Sequence, residues 1–436
     1  MVSLSKTTRY PHSNMRVALG KDGGILAKNT SMLYLMTIAK YIFPLLLFPY
    51  LTRVLTVNYY GIITYMTSVA NYISIVIDFG FNFSATRKIA QNKNNTEKIK
   101  EIYTSVIIAK LALALCSGIA VGAISPFIPI LRDNINVLLA YYFSTAVLAF
   151  LPDFVYRGFE QMQGITLRYV ISKVITTVLT ILMVKGPEQI LLVPIFNGIG
   201  NLFSIFFTWA HLKKFFDISF KKIKLQFCFN EIRDSSVFFV STFASTAFTL
   251  ANTLFMGIVV MSESDIACWG VAFQLITIAM SLYEPITSSL YPRMVQSRNL
   301  KIIRIAIVLV LPVIIVGIII CYFGASLFVN IVAGAGYEAA VPVFQIMLPV
   351  LLFTYPAQIL GFPVLGAVHQ EKYATRATVI SAVFHIFGLI VLALTHSFTL
   401  ISVAILRTCT EFVFMIFRVK YYYKIKYLFA GDNNYE

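Results

Sequence analysis

The sequence predicts an all-α polytopic membrane protein that crosses the bilayer twelve times. Three observations predict it. First, the 436 residues are 58% hydrophobic and only 12% charged, with a mean hydropathy of +0.79. A soluble domain carries about 45–50% apolar and about 25% charged residues, and one water-facing core of this size could not cover so much apolar surface. Second, apolar residues run without interruption for about twenty positions at a time, the length of helix that spans a ~30 Å hydrocarbon core. Barrel strands would instead alternate at every second position. Third, lysine and arginine crowd into every other loop.

Residues 1–29 are polar and hold Lys6, Arg9, Arg16, Lys21 and Lys28. With no short apolar stretch ahead of a small-residue cleavage site, no cleavable leader is expected, and the first span serves as its own insertion signal. Within this tail, residues 1–20 mix charges with Gly, Pro and Ser without periodicity, so a disordered extension is expected. The first span is assigned to 30–52, where Pro44 and Pro49 should bend it. The second is 61–81. After it comes NFSATRKIAQNKNNTEKIKE at 82–101, a basic amphipathic connector that fits either an anionic inner leaflet or solvent. The third and fourth spans are 102–124 and 135–156. The fifth and sixth, 165–184 and 189–212, are separated only by Lys185, Gly186, Pro187 and Glu188, a tight turn. The basic loop 213–234 then divides an N-terminal half, 30–212, from a C-terminal half, 235–421. Its spans are 235–260, 265–290, 302–322, 341–362, 373–394 and 398–421, with Pro349 and Pro356 bending the tenth, and 422–436 forms the C-terminal tail.

With the N-terminus inside, 28 of the 35 basic residues fall on cytoplasmic segments and 3 (Arg53, Arg132 and Lys185) outside; the remaining 4 are within spans. This bias puts both termini in the cytoplasm. It also supports an even span count, because one missed helix would invert every later loop. The net charge of +16 is thus a property of cytoplasmic loops, not a sign of a nucleic-acid partner. Tyr60-Gly61 and Trp269-Gly270 hold equivalent places at the start of the second and eighth spans, 209 residues apart. Duplicated halves would produce that spacing, although aromatic anchoring at the interface gives the same pair.

No Walker loop, GxSxG, HExxH or GxGxxG motif is present, so no catalytic residue, cofactor or enzyme activity is expected. The five cysteines, Cys116, Cys228, Cys268, Cys321 and Cys409, form no CxxC pair, and with five scattered histidines no metal site is expected. The informative residues are ionisable groups inside spans, which are costly there and face a bundle interior or a wet cavity. Lys40, Lys110 and Lys173 stand in the first, third and fifth spans, all roughly 12–15 Å from the inner surface at 1.5 Å per residue. A shared depth suggests a cationic shelf for phosphate, although each could instead pair with a carboxylate for packing. Arg407 and Glu411, four apart on the last span, should pair on one face, with Arg407 a further candidate for substrate contact. Asp153 and Arg157 repeat that spacing in the fourth span. Glu284, next to Pro285, lies at an expected kink and could bind a coupling ion or meet a lysine. Asp78 is expected to cap the segment that follows it. Glu284, Glu411, Asp78 and Asp153 are therefore the candidates for coupling or gating.

The runs FPYLTRVLTVNYYGIITY at 48–65 and IDFGFNFSATRKIA at 77–90, with GAGYEAAVPVFQIMLP at 334–349, resemble O-antigen flippases of the Wzx type. Over nearly the whole chain the layout is similar to theirs. The resemblance implies the multidrug/oligosaccharidyl-lipid/polysaccharide exporter fold, two six-helix lobes in a V around a central cavity, and residence in the bacterial inner membrane. It implies a substrate of undecaprenyl pyrophosphate bearing one oligosaccharide unit, flipped by alternating access. Membrane lipids, an O-antigen polymerase and a chain-length regulator are the implied partners. The alternative is a proton- or sodium-coupled multidrug exporter of the same fold. Its cavity would favour carboxylates, whereas the N-terminal spans hold three midplane lysines against two carboxylates near the inner surface. A non-transporting scaffold would have no use for midplane charge.

Overall fold

The computed structural model describes the backbone of residues 12–216 and 219–429 and, with few exceptions, the side chains from Ser31 onward. Every regular element among these residues is a helix. Helix α1 (His12–Val54) runs unbroken through Pro44 and Pro49. The expected disordered tail is therefore corrected from His12 onward, while residues 1–11 lie outside the described residues. Extending a helix already nucleated by a membrane span needs no new nucleus, and Met15, Arg16, Ala18 and Leu19 are good helix formers.

α2 (Val57–Asp78) stops at two left-handed residues, Phe79 (φ 44°) and Gly80 (φ 79°), and α3 (Phe81–Gln91) follows at once. The connector is thus a helix and not a loop over these residues. Phe81, Ser84, Ala85 and Ile89 are buried, the i, i+3, i+4, i+8 stripe of a helix packed against protein. α4 (Thr96–Ile124) starts at Asn95, whose side chain accepts the Lys98 N–H, and the short α5 (Pro129–Arg132) turns the chain. The fourth span is two pieces, α6 (Ile135–Ala146) and α7 (Asp153–Gly158), parted at Leu151-Pro152. α8 (Met162–Met183) and α9 (Leu192–Phe216) flank the expected tight turn, which contains Pro187–Gln189.

α10 (Leu225–Ile258) begins within the expected loop 213–234. Cys228, Glu231 and Ser235 are buried, so the stretch Leu225–Asp234 has a packed face and stays helical. α10 bends by 71° between Thr246 and Thr249. α11 (Glu263–Ser281) and α12 (Glu284–Ser297) form the eighth span, broken just before Pro285 as expected. α13 (Leu300–Phe323) has a mean hydropathy of 3.2 and is only 6% buried within the protein, a lipid-facing helix. α14 (Ala325–Ala333) leads to the tenth span. That span comprises α15 (Ala340–Met347), α16 (Pro349–Ile359) and a widened turn at Leu360–Leu365, which holds Pro363. α17 (Glu371–Leu394) and α18 (Leu400–Ile425) complete the bundle, the latter capped reciprocally by Thr399 and Ser402. Among the described residues, eleven helical segments are long and apolar enough to cross a membrane, and the bent α10, taken as one span, is the twelfth. They form two six-span lobes. In the first, α8 packs on α1 and α9, and α6 on α2 and α9; in the second, α18 packs on α15, α16 and α17. The lobes meet where α2 packs on α11, and where α10 packs on α2, α3 and α4.

Candidate functional site

At the end of the bundle opposite the basic loops, α2 and α11 are in backbone contact. A Cβ at Gly61 would lie 1.8 Å from the Glu263 carbonyl oxygen, and one at Gly270 would lie 2.7 Å from Thr64 Cγ2. The two aromatic–glycine pairs noted in the sequence thus face each other across the lobe boundary, and small residues let the two helices approach this closely. The same end is tied by the 334–349 segment. Tyr337 is buried, packs edge-on against Tyr60, and donates its hydroxyl to the Thr52 carbonyl, while Arg53 donates to the Ile331 carbonyl. Gly61→Leu is expected to force this seal open. In a chain whose native cysteines are serine, oxidative cross-linking of T64C to G270C should fall at least several-fold on adding G61L; unchanged cross-linking would contradict the packing described.

At the basic end a second clasp joins the lobes. Phe79 stacks on Phe239 with centroids 4.3 Å apart, Phe83 on Phe238, and Ser84 meets Ser235. Lys88 pairs with Glu231 at 2.9 Å and Asp234 at 2.8 Å. Gly80 is required twice over: its φ is left-handed, and a Cβ would lie 2.6 Å from Phe238 Cβ.

Between these ends lie two polar pockets on the first lobe that share Ser74 and Leu148. The larger, about 390 Å³, is lined by Asn71, Tyr169, Lys173, Asn197 and Asn201, with Gln274 from the second lobe. Lys173 donates to Asn197 Oδ1 at 3.4 Å. The smaller, about 330 Å³, holds Asp78, Asn82, Lys110 and Asp153. Here two expectations are corrected. Asp78 does not cap α3; it pairs with the buried Lys110 at 3.1 Å and accepts from Asn82 at 2.7 Å. Asp153 pairs not with Arg157 but with Arg168 of α8 at 2.6 Å, because the break at Pro152 places Asp153 in the first turn of α7 beside that helix. Lys40 is exposed on α1, within Coulombic reach of Glu284, Asp153 and Arg157. Glu284 accepts the Tyr41 hydroxyl at 2.9 Å, an inter-lobe contact. The three lysines therefore do not form one shelf of free charges. Lys110 is paired, Lys173 is the one basic residue in the lining of the larger pocket, and Lys40 is in neither lining. On the other face of α2, Tyr72, Ile73 and Val76 line an apolar cleft of about 740 Å³ whose far wall is Phe243, Phe255 and Ile386.

In the second lobe Arg407 and Glu411 pair as expected, at 2.7 Å, with side chains 3% and 2% exposed. Sequence reasoning missed their surroundings. His385, fully buried, shares its ring nitrogens between Thr410 at 2.7 Å and Asn252 at 3.0 Å. A histidine mid-way along an apolar run was the signal, but the histidines were weighed only as metal ligands. Arg168 and Arg418 were missed because each lies near a span end, where a basic residue is counted to a loop; both are buried.

The chain is similar to known proteins over most of its length. The family described as polysaccharide biosynthesis protein matches residues 26–298. A protein of Escherichia coli (strain K12) named "Putative O-antigen transporter" is 24% identical over 394 residues, covering 88% of this chain and 94% of its own. A protein of the same name from Shigella dysenteriae is 24% identical over 382 residues, covering 83% and 91%. Among solved structures, "Lipid II flippase MurJ, inward closed conformation" superposes with a TM-score of 0.71 at 15% identity over 90% of this chain and 87% of that one. An "Inward-facing conformation of a multidrug resistance MATE family transporter of the MOP superfamily" does so at 0.61 and 13%, covering 92% and 96%. These two structures share the two-lobe helical fold.

Proposed function

The chain belongs to the polysaccharide biosynthesis protein family, a multi-pass membrane protein of transporter type and not an enzyme, and on that premise we propose that it flips a lipid-linked oligosaccharide across the bacterial inner membrane. The substrate in this reading is undecaprenyl pyrophosphate bearing one O-antigen repeat unit, moved from the inner to the outer leaflet. One observation carries the reading: α2 separates a polar, cationic pocket from an apolar cleft. An amphipathic cargo needs both. The pyrophosphate and first sugars take the pocket, where Lys173 offsets the cost of holding phosphate charge away from water, and Asn71, Asn197, Asn201 and Gln274 offer hydrogen bonds to sugar hydroxyls. The isoprenoid chain stays in the cleft and in the bilayer.

The basic end is cytoplasmic in this reading, so the seal at Gly61 and Gly270 closes the outer side while cargo loads from within. The Lys88–Glu231 clasp, closed here, must part for that loading, and rocking of the lobes then re-forms it and opens the seal. A multidrug exporter fits less well, because the carboxylates Asp78 and Asp153 are both taken by cations, which leaves Glu284, bonded to the Tyr41 hydroxyl, as a carboxylate at the lobe boundary. A strain lacking the protein is expected to accumulate lipid-linked repeat units on the inner face and to lose surface glycan. Normal surface glycan in that strain contradicts the reading. Membrane-impermeant thiol reagents should label a cysteine at 336 and not one at 222 in intact cells; the reverse contradicts the orientation.

A further inference from the structure

A third pocket, about 630 Å³, sits in the second lobe between α12, the widened turn after α16, and α18. Its lining includes Thr287, Ser288, Tyr291, Gln358 and Arg418, with Phe362 among the apolar residues. Arg418 is 6% exposed. Its guanidinium lies over the Phe414 ring at 4.8 Å, and one nitrogen donates to Thr378 Oγ1 at 3.4 Å. Nε and Nη1 have no hydrogen-bond partner among the described residues, and no ion pair to Arg418 occurs among them. A buried guanidinium without a counter-charge is costly, and buried polar groups otherwise find partners. Around it stand neutral donors only: two hydroxyls from α12, a phenol and an amide. Gly361 is what lets the cation sit there, since a Cβ at that position would lie 2.4 Å from Nη1. A planar guanidinium with hydroxyl and amide donors around it, in a pocket of this size, matches the several anionic oxygens of a tetrahedral phosphate.

Arg418 lies eighteen residues along α18 from Leu400, roughly 27 Å at 1.5 Å per residue, so the pocket is at the basic end. Glu284, Ser288 and Tyr291 recur at i, i+4 and i+7 on α12 and share one face. The helix that lines the pocket therefore also carries, one turn away, the Tyr41–Glu284 contact with the first lobe.

We propose that the Arg418 pocket is a phosphate-binding site, distinct from the Lys173 pocket, that takes the phosphoryl group of a lipid at the basic end. The assignment of that phosphate to cargo rests on the flippase reading; the site itself does not. Two sources share the chemistry, the pyrophosphate of the cargo and the headgroup of a bilayer phospholipid. The test uses the full chain in dodecyl maltoside, a detergent without phosphate, with farnesyl pyrophosphate and phosphatidylglycerol as probes, read by thermal stabilisation and native mass spectrometry. Binding should stabilise the wild type by mass action. Arg418→Gln should weaken binding of the preferred probe by at least about tenfold, the loss of a charge-assisted contact, and Arg418→Lys should recover part of it. Competition between the probes assigns the source, and either assignment supports the site. Wild-type affinity for both probes in folded R418Q overturns it. If R418Q does not fold, the Tyr291→Phe/Gln358→Leu double variant keeps the cation and removes two donors. It should bind several-fold more weakly, and unchanged binding there also overturns the site. Absence of flipping by the folded wild type, with Arg418-dependent binding intact, would instead count against the flippase reading alone.

Discussion

Glu411→Ala is expected to destabilise the protein by about 3–5 kcal/mol, the cost of breaking a buried pair from one side. Both side chains of the Arg407–Glu411 pair are almost fully buried, and His385, bonded to Thr410 and Asn252, is buried in the same lobe. Removing the acid takes away the carboxylate at 2.7 Å from a cation held in a low-dielectric interior. Replacing both residues by apolar ones of similar volume, Arg407→Met with Glu411→Leu, should cost far less, because no charge is orphaned. Thermal unfolding of purified protein, with immunoblots of membranes, separates the cases. A double variant as unstable as E411A would show that the network is not held by charge. A stable double variant that no longer transports would show that the pair serves the transport cycle rather than folding.

The second large effect concerns Lys173. Its partner is a neutral amide at 3.4 Å, so Lys173→Ala orphans no charge, and protein abundance should stay near wild type. Transport should fall at least about tenfold, because one charge-assisted phosphate contact, worth ~1.5–3 kcal/mol, is lost. Lys173→Arg keeps a phosphate-binding charge and should largely retain transport. Lys110→Ala should behave differently. Lys110 is 3% exposed and holds Asp78, so its loss should lower abundance, and Asp78→Asn in the same chain should restore part of it. Complementation of surface glycan, normalised to immunoblot, distinguishes the two lysines. Wild-type glycan in K173A would remove Lys173 from the site.

What the sequence made legible followed from terms that are local or summed over many residues. Span number came from apolar run length and the loop charge bias, and the Arg407–Glu411 pair came from spacing within one continuous helix. The errors fell where a partner came from another helix. Asp153 and Arg157 have the spacing of a pair, yet Pro152 interrupts the span and Arg168 of α8 is within reach. Asp78 read as a cap because Lys110, thirty-two residues on, could not be placed beside it. Amphipathic stretches at 82–91 and 225–234 read as loops because their polar content hid a packed face, which distant parts of the chain complete: α7 and α10 for the first stretch, α3 and α4 for the second. The motifs that carry the family resemblance also changed meaning. IDFGFNFSATRKIA forms the basic-end clasp, and FPYLTRVLTVNYYGIITY with GAGYEAAVPVFQIMLP forms the opposite seal. The motifs hold the lobes together at both ends, and FPYLTRVLTVNYYGIITY also gives the Lys173 pocket part of its apolar wall through Phe48, Leu51, Tyr60 and Ile63.

The account stands most directly on one measurement: reconstitution of the purified chain into liposomes with a fluorescent lipid-linked oligosaccharide, followed by the fraction of label accessible to an external quencher. The account predicts protein-dependent exchange between leaflets that is abolished by K173A and not by K173R. Equal exchange in protein-free liposomes and in liposomes holding folded wild-type protein would contradict it.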